Sequence, residues 1–343
     1  MTRTQSALIV DAGSPTPEND AGSVAVRDLE WGLAELGFQT RLAAEARPRD
    51  LQEALARNYD VVVLSRPSTY LRNHSLINRE KTKVLYFAHD LHFVRLSLGQ
   101  ALGENSGSLG PRVMKSVEAF CFSSADLVLL PTEEEVAVVH ETWPDVSARR
   151  INYFAMEPVD ERPSFASSHG LVFIGSREHA PNRDGLAWFF EEVWPGVVGE
   201  APDITLTLIG DWASDFEQVH NVRVLGNVSD SEVDVAMSAA RIGIAPLRYG
   251  AGMKRKTLHY FAAGLPVVST DFGLEGIRAT HVPEPAAVIA RSSDEWVARL
   301  LELHAQESRW NELSRNAKRH VSACFSNEAY LSDLSVALQD ALQ

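Results

Sequence analysis

Residues 244–277, with the sequence IAPLRYGAGMKRKTLHYFAAGLPVVSTDFGLEGI, alternate apolar runs with a glycine-rich turn. A short apolar run, residues 241–246, ends at a proline and predicts a strand. Gly250–Gly252 follows as a loop whose backbone N–H groups no side chain shields. Apolar residues recur at helical spacing in Lys254–Ala262, before a glycine and a proline that end the helix. Leu265–Ser269 has the pattern of a buried strand, so the stretch predicts strand, glycine loop, helix and strand.

The glycine loop and the helix that it opens form a candidate anion site. Unshielded N–H groups and the helix dipole both favour negative charge at this end of a helix. Lys254 and Lys256 add two side-chain cations at the same end. We therefore predict a phosphate-binding site here. The alternative is an ordinary loop-to-helix junction with solvated lysines.

The composition is typical of a globular protein with more than one domain. The chain has 343 residues, 45% of them hydrophobic, and its length favours two domains. No apolar run approaches the ~20 residues needed to cross a bilayer. The first residues enter a strand directly, which predicts no secretory signal. Two cysteines without a pairing motif, Cys121 and Cys324, fit a reducing cytoplasm. The net charge of −14 argues against nucleic acid as a partner.

Residues 65–120 carry a local excess of positive charge. The basic residues of this segment are Arg66, Arg72, Arg79, Lys81, Lys83, Arg95, Arg112 and Lys115, and the acidic ones are Glu80, Asp90, Glu104 and Glu118. Such an excess favours a surface for an anionic acceptor or for lipid headgroups, so a peripheral membrane contact is one interpretation. The other is a solvated patch spread over several faces.

Strand and helix patterns alternate through both halves of the chain. The predicted strands are 6–10, 38–42, 60–64, 83–87, 127–130, 150–154, 171–174, 204–209 and 222–225. The predicted helices are 24–36, 51–57, 113–125, one that begins at 133, 185–193, 229–240, 294–303, 308–323 and 328–341. This alternation predicts an α/β fold of two Rossmann-like, doubly wound domains that face each other across a cleft. The boundaries are predicted as 1–160, 161–325 and a final segment 326–343, with a linker at 157–170.

Several loops at predicted strand ends are suited to close contact with a ligand. Residues 11–23 form a long polar loop, and Asp20–Ser23 stands just before the first helix, as a ligand contact or as a helix cap. In the second half, Gly175, Ser176 and Arg177 follow one strand, and Gly210 follows another. Because ligands bind beyond the carboxyl ends of such strands, these loops and Gly250–Lys256 favour one site on one sheet edge.

The sequence His89-Asp90-Leu91-His92 follows the fourth predicted strand. Imidazoles and a carboxylate at a strand end are able to bind hydroxyl groups or to move protons. The alternatives are a structural role and a metal site, for which only three ligands are visible. The chain has no Gly-x-Ser-x-Gly elbow and no Walker phosphate loop. No Gly-x-Gly-x-x-Gly follows the first strand, which weakens any dinucleotide oxidoreductase.

The second half resembles the donor-binding domain of GT-B glycosyltransferases of the family 4 (group 1) type. The matching segments are LVFIGS, APNRDGLAWFFEEVWP, ITLTLIGD, VRVLGNVSD and the stretch 244–277. The likeness covers 171–277 well. It continues more weakly into the first half, through PENDAGS before the first helix and YFAHDLHFVRL after the fourth strand.

This resemblance implies a retaining transfer of a sugar from a nucleoside diphosphate sugar, with no metal and no cofactor. It implies a catalytic set of His89, Asp90 and Lys254. The implied donor site comprises Gly175, Ser176, Arg177, Asn182, Gly210, Leu225, Asn227, Val228, Tyr249, Gly250, Gly252, Met253, Lys254, Lys256 and His259, with the base near 225–228. The acceptor, a glycan, a lipid-linked or a small molecule, is expected on the first domain near Gly22, Ser23 and His92. The final helix is expected to cross back to that domain.

The chain departs from the family where two glutamates normally stand eight positions apart, because Ala251 and His259 occupy those places. The family's second glutamate accepts hydrogen bonds from the ribose, whereas a neutral histidine accepts at most one. One hypothesis is relaxed ribose recognition, which suits a deoxyribose donor such as a dTDP-sugar. The alternative is that His259 simply fills the same space. Two further candidates are a non-catalytic sugar-nucleotide-binding protein and a sugar-nucleotide epimerase.

Overall fold

The computed structural model describes residues 4–13, 21–103, 109–277 and 286–342. The chain divides into two compact units. The first unit contains Met1–Ala155, Ala251–Met253 and Asn327–Gln343. The second unit contains Met156–Gly250 and Lys254–Ser326. Two residues of the predicted glycine loop, Ala251 and Gly252, therefore belong to the first unit together with Met253, while Gly250 and Lys254 belong to the second.

The first unit is built on a parallel sheet in which, within the described ranges, six strands lie in the order β2-β1-β3-β4-β5-β6. The strands are β1 Ser6–Asp11, β2 Gln39–Ala44, β3 Val61–Ser65, β4 Lys83–Phe87, β5 Leu127–Leu130 and β6 Ala148–Arg150. The helices are α1 Ala21–Glu35, α2 Pro48–Leu55, α3 Pro67–Asn73, α4 His92–Ala101, α5 Pro111–Ser124, α6 Glu133–Thr142 and α14 Asn327–Leu342. The sequence VVVLS of β3 is buried throughout, as expected for a parallel strand that is covered on both faces.

The second unit has a parallel sheet of the same size over the residues that are described, in the order β12-β11-β10-β7-β8-β9. Its strands are β7 Leu171–Ile174, β8 Leu206–Ile209, β9 Val222–Val224, β10 Ile242–Ala245, β11 Val267–Ser269 and β12 Ala287–Ile289. Its helices are α7 Ala180–Trp188, α8 Trp194–Glu200, α9 Ala213–Phe216, α10 Asp230–Ala239, α11 Arg255–Ala262, α12 Ser293–Ala305 and α13 Glu307–Cys324, with a π-helical turn Phe189–Val193 that joins α7 to α8. The fold class predicted from the sequence, α/β with two Rossmann-like sheets, is confirmed; the cleft stays a prediction.

Local chemistry explains where several helices begin and end. Ser229 and Glu232 form a reciprocal capping box at the start of α10. Thr132 accepts the Glu135 N–H at the start of α6, where three glutamates complement the helix dipole. Gly264 adopts a φ of 63° directly beyond α11, which is the left-handed conformation that ends many helices.

Each sheet has one point at which the strand order reverses. In the first unit the chain leaves β1 for β2 on one side and returns to β3 on the other, so this point lies between β1 and β3. In the second unit it lies between β7 and β10. Ligands of open α/β sheets bind beyond the carboxyl ends of the strands at such a point. The loops after these four strands are therefore the places to examine for function.

The structure corrects several predicted elements. Residues 150–154 are not a strand, because β6 is Ala148–Arg150 and the chain after it leaves the sheet. The helix predicted at 185–193 begins at Ala180, and Pro195 lies within the first turn of α8, where a missing N–H costs nothing. Helices α3 and α4 and strand β12 were not predicted from the sequence. Helix α1 begins at Ala21, so the predicted loop 11–23 is shorter than expected. Residues 14–20 of that loop lie outside the described residues.

Candidate functional site

Lys256 lies at the reversal point of the second unit. It is in the first turn of α11, and its Nζ is 2.5 Å from Asn182 Oδ1 at the start of α7. The same Nζ lies 4.1 Å from the ring centre of Phe173, on β7. An ammonium over an aromatic face is stabilised electrostatically. The two contacts place this cation beside the loop that follows β7.

Asn182 connects that lysine to the loop after β7. Its side chain is buried, and Nδ2 donates to the Ser176 carbonyl oxygen over 2.8 Å while Oδ1 accepts from Lys256. A β-carbon at position 175 would lie 2.7 Å from Asn182 Nδ2 and 3.0 Å from Lys256 Nζ. Only glycine fits at 175 without displacing the lysine and the asparagine. Of the predicted donor residues, the structure thus brings Gly175, Ser176, Asn182 and Lys256 together.

The charge on Lys256 is poorly compensated. Burial, and then the nearby positive charge of Lys254, lower the pKa of Lys256 to about 7. Among the described residues no carboxylate forms an ion pair with it. Lys254, by contrast, donates to Glu275 Oε2 over 2.8 Å. An ammonium has three N–H donors, and within the described part of the chain Lys256 is engaged by the Asn182 amide oxygen and the Phe173 ring alone. It is the cation of this unit best placed to receive an anion.

The glycine loop is arranged differently from the prediction. The Gly252 N–H donates over 3.0 Å to Glu135 Oε1, and both residues belong to the first unit. A β-carbon at Gly252 would approach the His89 carbonyl oxygen to 2.9 Å, so the backbone is close-packed there. The expectation that this loop exposes free N–H groups is therefore wrong for Gly252, because its N–H group already donates a hydrogen bond to the Glu135 carboxylate. Met253 lies in the same unit, whereas Tyr249 is buried in the second.

The other predicted donor residues lie around the carboxyl ends of β8 and β9. The Gly210 N–H donates to the Gly226 carbonyl oxygen, which brings the chain after β8 against the chain after β9. Leu225, Asn227 and Val228 flank this contact, and Asn227 is exposed. Arg177 forms two hydrogen bonds with Asp215, of 2.5 and 2.9 Å, so its charge is already paired.

His259 lies on α11, three residues beyond Lys256. Its Nε2 is 3.5 Å from Asp234 Oδ1 on α10. Burial, and then the positive charge of Arg255, lower the pKa of His259 below its ordinary value, although Asp234 opposes this shift. His259 is therefore neutral at pH 7. With its Nε2 facing a carboxylate it retains one acceptor nitrogen, as the sequence predicted.

In the first unit, three residues at the carboxyl ends of β1, β3 and β4 form a chain of hydrogen bonds. The Ser65 hydroxyl lies 2.7 Å from Asp11 Oδ1 and 2.7 Å from His89 Nε2. Arg66 Nε also donates to Asp11 Oδ1, over 3.1 Å. Asp11 and Ser65 are fully buried. This chain of hydrogen bonds lies at the reversal point between β1 and β3. Of its three residues, only His89 was predicted from the sequence as a site residue.

Asp90 and His92 are held together as a charged group. His92 Nδ1 lies 3.0 Å from Asp90 Oδ1 and 3.2 Å from Glu118 Oε1, and Arg95 donates to Asp90 Oδ2 over 2.7 Å. Burial alone would raise the pKa of Asp90, but His92 and Arg95 hold it well below its ordinary value. Burial would lower the pKa of His92, but Asp90 and Glu118 raise it. Asp90 is therefore a permanent anion near neutral pH and is unsuited to transfer protons.

Two buried glutamates that the sequence analysis missed fix the turn around His89. Glu118 accepts the N–H groups of His92 and Phe93 over 2.9 Å each and so caps α4. Glu135 accepts the Leu91 N–H over 2.9 Å in addition to that of Gly252. A signal existed for Glu118, because it shares the buried face of α5 with Cys121. Carboxylates that replace water at helix ends stabilise the backbone there.

The predicted acceptor residues Gly22 and Ser23 do not lie in a loop. Both belong to the first turn of α1, and Ser23 is buried. The polar residues before them favoured a loop, but the helix starts at Ala21, three residues before its predicted start. Their role in acceptor binding stays a prediction.

The basic segment 65–120 is partly neutralised. Arg72 pairs with Glu45 and Arg79 with Asp126, at 2.6 and 3.0 Å. Exposed apolar side chains lie in the same segment, among them Val113 and Phe120 on α5.

Over the four described ranges, no helix is long and apolar enough to span a bilayer. Those ranges also hold no group of three or more His, Cys, Asp or Glu side chains placed to bind a metal ion.

Comparison with known proteins finds a family likeness in the second unit. Residues 168–306 match the model of the family Glycosyl transferases group 1. The match covers less than half of the chain and lies largely within the second unit. The resemblance recognised in the sequence is thus confirmed for this family and for the GT-B fold, whereas membership of family 4 stays a prediction.

Full-length likeness to solved glycosyltransferase structures extends the fold to both units. The sucrose-phosphate synthase of Thermosynechococcus elongatus is 14% identical, with a TM-score of 0.77 and 98% of each chain covered. Anabaena Alr3699/HepE in complex with UDP and glucose is 12% identical, with a TM-score of 0.66 and 98% and 99% of the two chains covered. At such identities the likeness concerns the fold alone.

A curated relative is an uncharacterized 44.6 kDa protein in the cps region of Klebsiella pneumoniae. It is 25% identical over 174 residues, which is 48% of this chain. The chain spans 44% of that relative's length. This match therefore concerns only part of each chain and leaves the activity open.

Proposed function

We propose that the protein is a retaining glycosyltransferase of the family 4 type. It transfers a sugar from a nucleoside diphosphate sugar to a hydroxyl of a glycan, a lipid-linked or a small-molecule acceptor. The observation that carries the proposal is Lys256, a half-buried lysine that forms no ion pair with a carboxylate among the described residues. It lies at the reversal point of the unit that matches the Glycosyl transferases group 1 model. Donors bind in that second unit, and the acceptor binds the first, near Gly22, Ser23 and His92.

The main chemical task is to stabilise the diphosphate as it leaves. When the bond between the sugar and the diphosphate breaks, negative charge develops on the diphosphate oxygens, and a preorganised cation lowers the barrier. Lys256 is suited to this because Asn182 and Phe173 hold its Nζ in place. Lys254 contributes less, because a diphosphate must compete with Glu275 for its proton donors.

Because lysine side chains supply the positive charge, we propose that turnover needs no metal ion. Excess EDTA should then leave the rate unchanged within about twofold. A stable loss of rate that Mg²⁺ or Mn²⁺ restores would contradict this part of the proposal.

We also infer that the protein is cytoplasmic and takes part in polysaccharide biosynthesis. The relative in the cps region supports the biosynthetic role.

In the first unit, we propose that His89 contacts hydroxyl groups of the sugar or of the acceptor. Asp90 has a positioning role. Asp90 is committed to His92 and Arg95, whereas His89 ends the hydrogen-bond chain from β1. His89→Gln should therefore lower turnover by about 10²-fold or more while nucleotide binding persists.

The nucleotide preference tests the role of His259. A neutral imidazole offers one acceptor, whereas a ribose presents two hydroxyl donors, so we propose tolerance of deoxyribose. Titration calorimetry with UDP, GDP, ADP and dTDP should show dTDP binding at least as well as the ribonucleotides. A clear preference for a ribonucleotide would count against relaxed recognition.

A non-catalytic sugar-nucleotide-binding protein is the second candidate, because His259 replaces a glutamate of the family. Purified protein should be incubated with a panel of labelled nucleotide sugars, with and without acceptor, and the released nucleoside diphosphate measured. Release that Lys256→Met abolishes supports the transferase. Tight binding without release favours the non-catalytic protein, and conversion of the sugar without an acceptor would indicate an epimerase.

A further inference from the structure

The chain Asp11–Ser65–His89 has only one consistent arrangement of protons. An ionised carboxylate accepts hydrogen bonds and cannot donate them, so the Ser65 hydroxyl must donate its single proton to Asp11 Oδ1, 2.7 Å away. The Ser65 oxygen then has only lone pairs left for His89. The 2.7 Å contact to His89 Nε2 therefore requires that the histidine nitrogen be the donor.

Arg66 is a second donor to the Asp11 carboxylate. Its Nε donates over 3.1 Å to the same Oδ1 that accepts from Ser65, and the Asp11 side chain is 2% exposed. A guanidinium has only N–H donors, so Oδ1 is the acceptor in this contact. Oδ1 thus accepts at both contacts, which fixes the direction of the chain at its buried end.

The backbone adds a second constraint on His89. Its φ is 62°, a left-handed conformation that side-chain-bearing residues seldom adopt, and Arg66 has a φ of 74°. Such conformations persist only where surrounding contacts hold them, and they concentrate at functional sites. The ring also packs edge-on against Phe87, at 4.9 Å between centroids, and against Tyr153, at 6.1 Å. His89 is therefore fixed in both backbone and ring.

We propose that Asp11 and Ser65 are positioning residues that hold His89 in the Nε2–H tautomer and leave the lone pair on Nδ1. In the neutral ring only one nitrogen accepts a hydrogen bond, so the buried chain selects which nitrogen meets the substrate. The consequence for turnover rests on the proposed function: His89 Nδ1 accepts a hydrogen bond from a hydroxyl of the donor sugar or of the acceptor.

The direct test is the tautomer itself, read by long-range ¹H–¹⁵N correlation spectra of protein labelled with ¹⁵N-histidine, at pH 8. The His89 signals are assigned by their loss in His89→Gln. The wild type should show the Nε2–H pattern. In Asp11→Ala no carboxylate remains to accept the Ser65 proton, so the hydroxyl donates to His89 instead and the signal should change to the Nδ1–H pattern. Ser65→Ala should give a mixture of the two tautomers.

Asp60→Ala is the matched control. Asp60 Oδ2 accepts the N–H and the hydroxyl of Ser6 over 2.8 and 2.9 Å, at the opposite end of β1, so it is a similar aspartate–serine pair. This variant should leave the His89 spectrum unchanged. Circular dichroism identifies any variant that fails to fold, and Ser65→Ala tests the same chain without altering charge.

Kinetics give the second readout. Asp11→Ala should lower kcat at least tenfold with KM for the donor changed less than threefold, because binding of the nucleotide uses other residues. An Nδ1–H pattern or a doubly protonated ring in the wild type, or an unchanged tautomer in both variants, overturns the proposal. A wild type with the expected tautomer and no turnover on any donor upholds it and refutes the proposed glycosyl transfer instead.

Discussion

Replacing Lys256 by methionine should strongly weaken the binding of nucleoside diphosphates. Methionine retains most of the apolar volume over Phe173 but removes the ammonium. Loss of a charge-assisted contact at a desolvated site costs about 2–4 kcal/mol, because the partner anion is left uncompensated. The dissociation constant should therefore rise about 30- to 1000-fold.

Lys254 and Arg177 already form ion pairs with carboxylates, so each should contribute less to nucleotide binding than Lys256 does. Lys254→Met should weaken binding only about 2- to 10-fold, because Glu275 already shares its charge. Arg177→Gln should change the dissociation constant less than about threefold, since Asp215 already engages two of the three guanidinium nitrogens and the pair is exposed. Lys318→Met on α13 is the control, with no change expected.

Titration calorimetry with the tightest of UDP, GDP, ADP and dTDP measures this series at pH 6.5 and constant salt. Thermal unfolding of each variant, followed in parallel, separates a loss of binding from a loss of fold. Two results would contradict the proposed role of Lys256. One is that Lys256→Met binds the nucleotide as tightly as the wild type, and the other is that the Arg177 variant loses more affinity for the nucleotide than the Lys256 variant.

Other expectations concern stability. Lys256→Met should raise the free energy of unfolding by about 1–3 kcal/mol at pH 6, where the wild type holds a half-buried, charged ammonium, measured by urea denaturation. Gly175→Ala should lower it by about 1–3 kcal/mol and weaken nucleotide binding, since its β-carbon overlaps Asn182; Gly199→Ala, with open space around it, should be neutral or slightly stabilising. Asp90→Asn should cost about 2–4 kcal/mol at pH 7. Because the folded pKa of Asp90 is depressed, its contribution is present above its ordinary value of 3.8 and is lost as the pH falls below it, so wild type and variant should converge in acid. An equal gap at pH 7 and pH 3 would contradict this assignment.

Local patterns predicted the elements that a short window of sequence determines. Lys83–Phe87, Leu127–Leu130 and Leu171–Ile174 are strands with the predicted bounds, because each is a continuous apolar run between turn residues. The start of α6 followed from its cap and its three glutamates. Residues 150–154 were misassigned because a buried, irregular segment has the same apolar composition as a strand.

The candidate site was predictable in its residue types but not in its pairings. The sequence identifies Lys254 and Lys256 as cations beside a glycine loop, yet Glu275 stands 21 residues from the lysine that it neutralises. Asp11 and Ser65 are 54 residues apart and meet only because β1 and β3 are adjacent. Glu135 reaches Gly252 across 117 residues. Such pairings depend on sheet order, which no local spacing encodes.

Proton uptake on nucleotide binding reports on the half-buried ammonium at the reversal point between β7 and β10. With a pKa of about 7, Lys256 is about 90% neutral at pH 8 in the free protein, and a bound diphosphate favours its charged form. Calorimetry at pH 8 in two buffers of different ionisation enthalpy should therefore show uptake of about 0.9 proton per nucleotide bound. Uptake should vanish in Lys256→Met. Tight binding by the wild type with no proton uptake would contradict the placement of the diphosphate on Lys256.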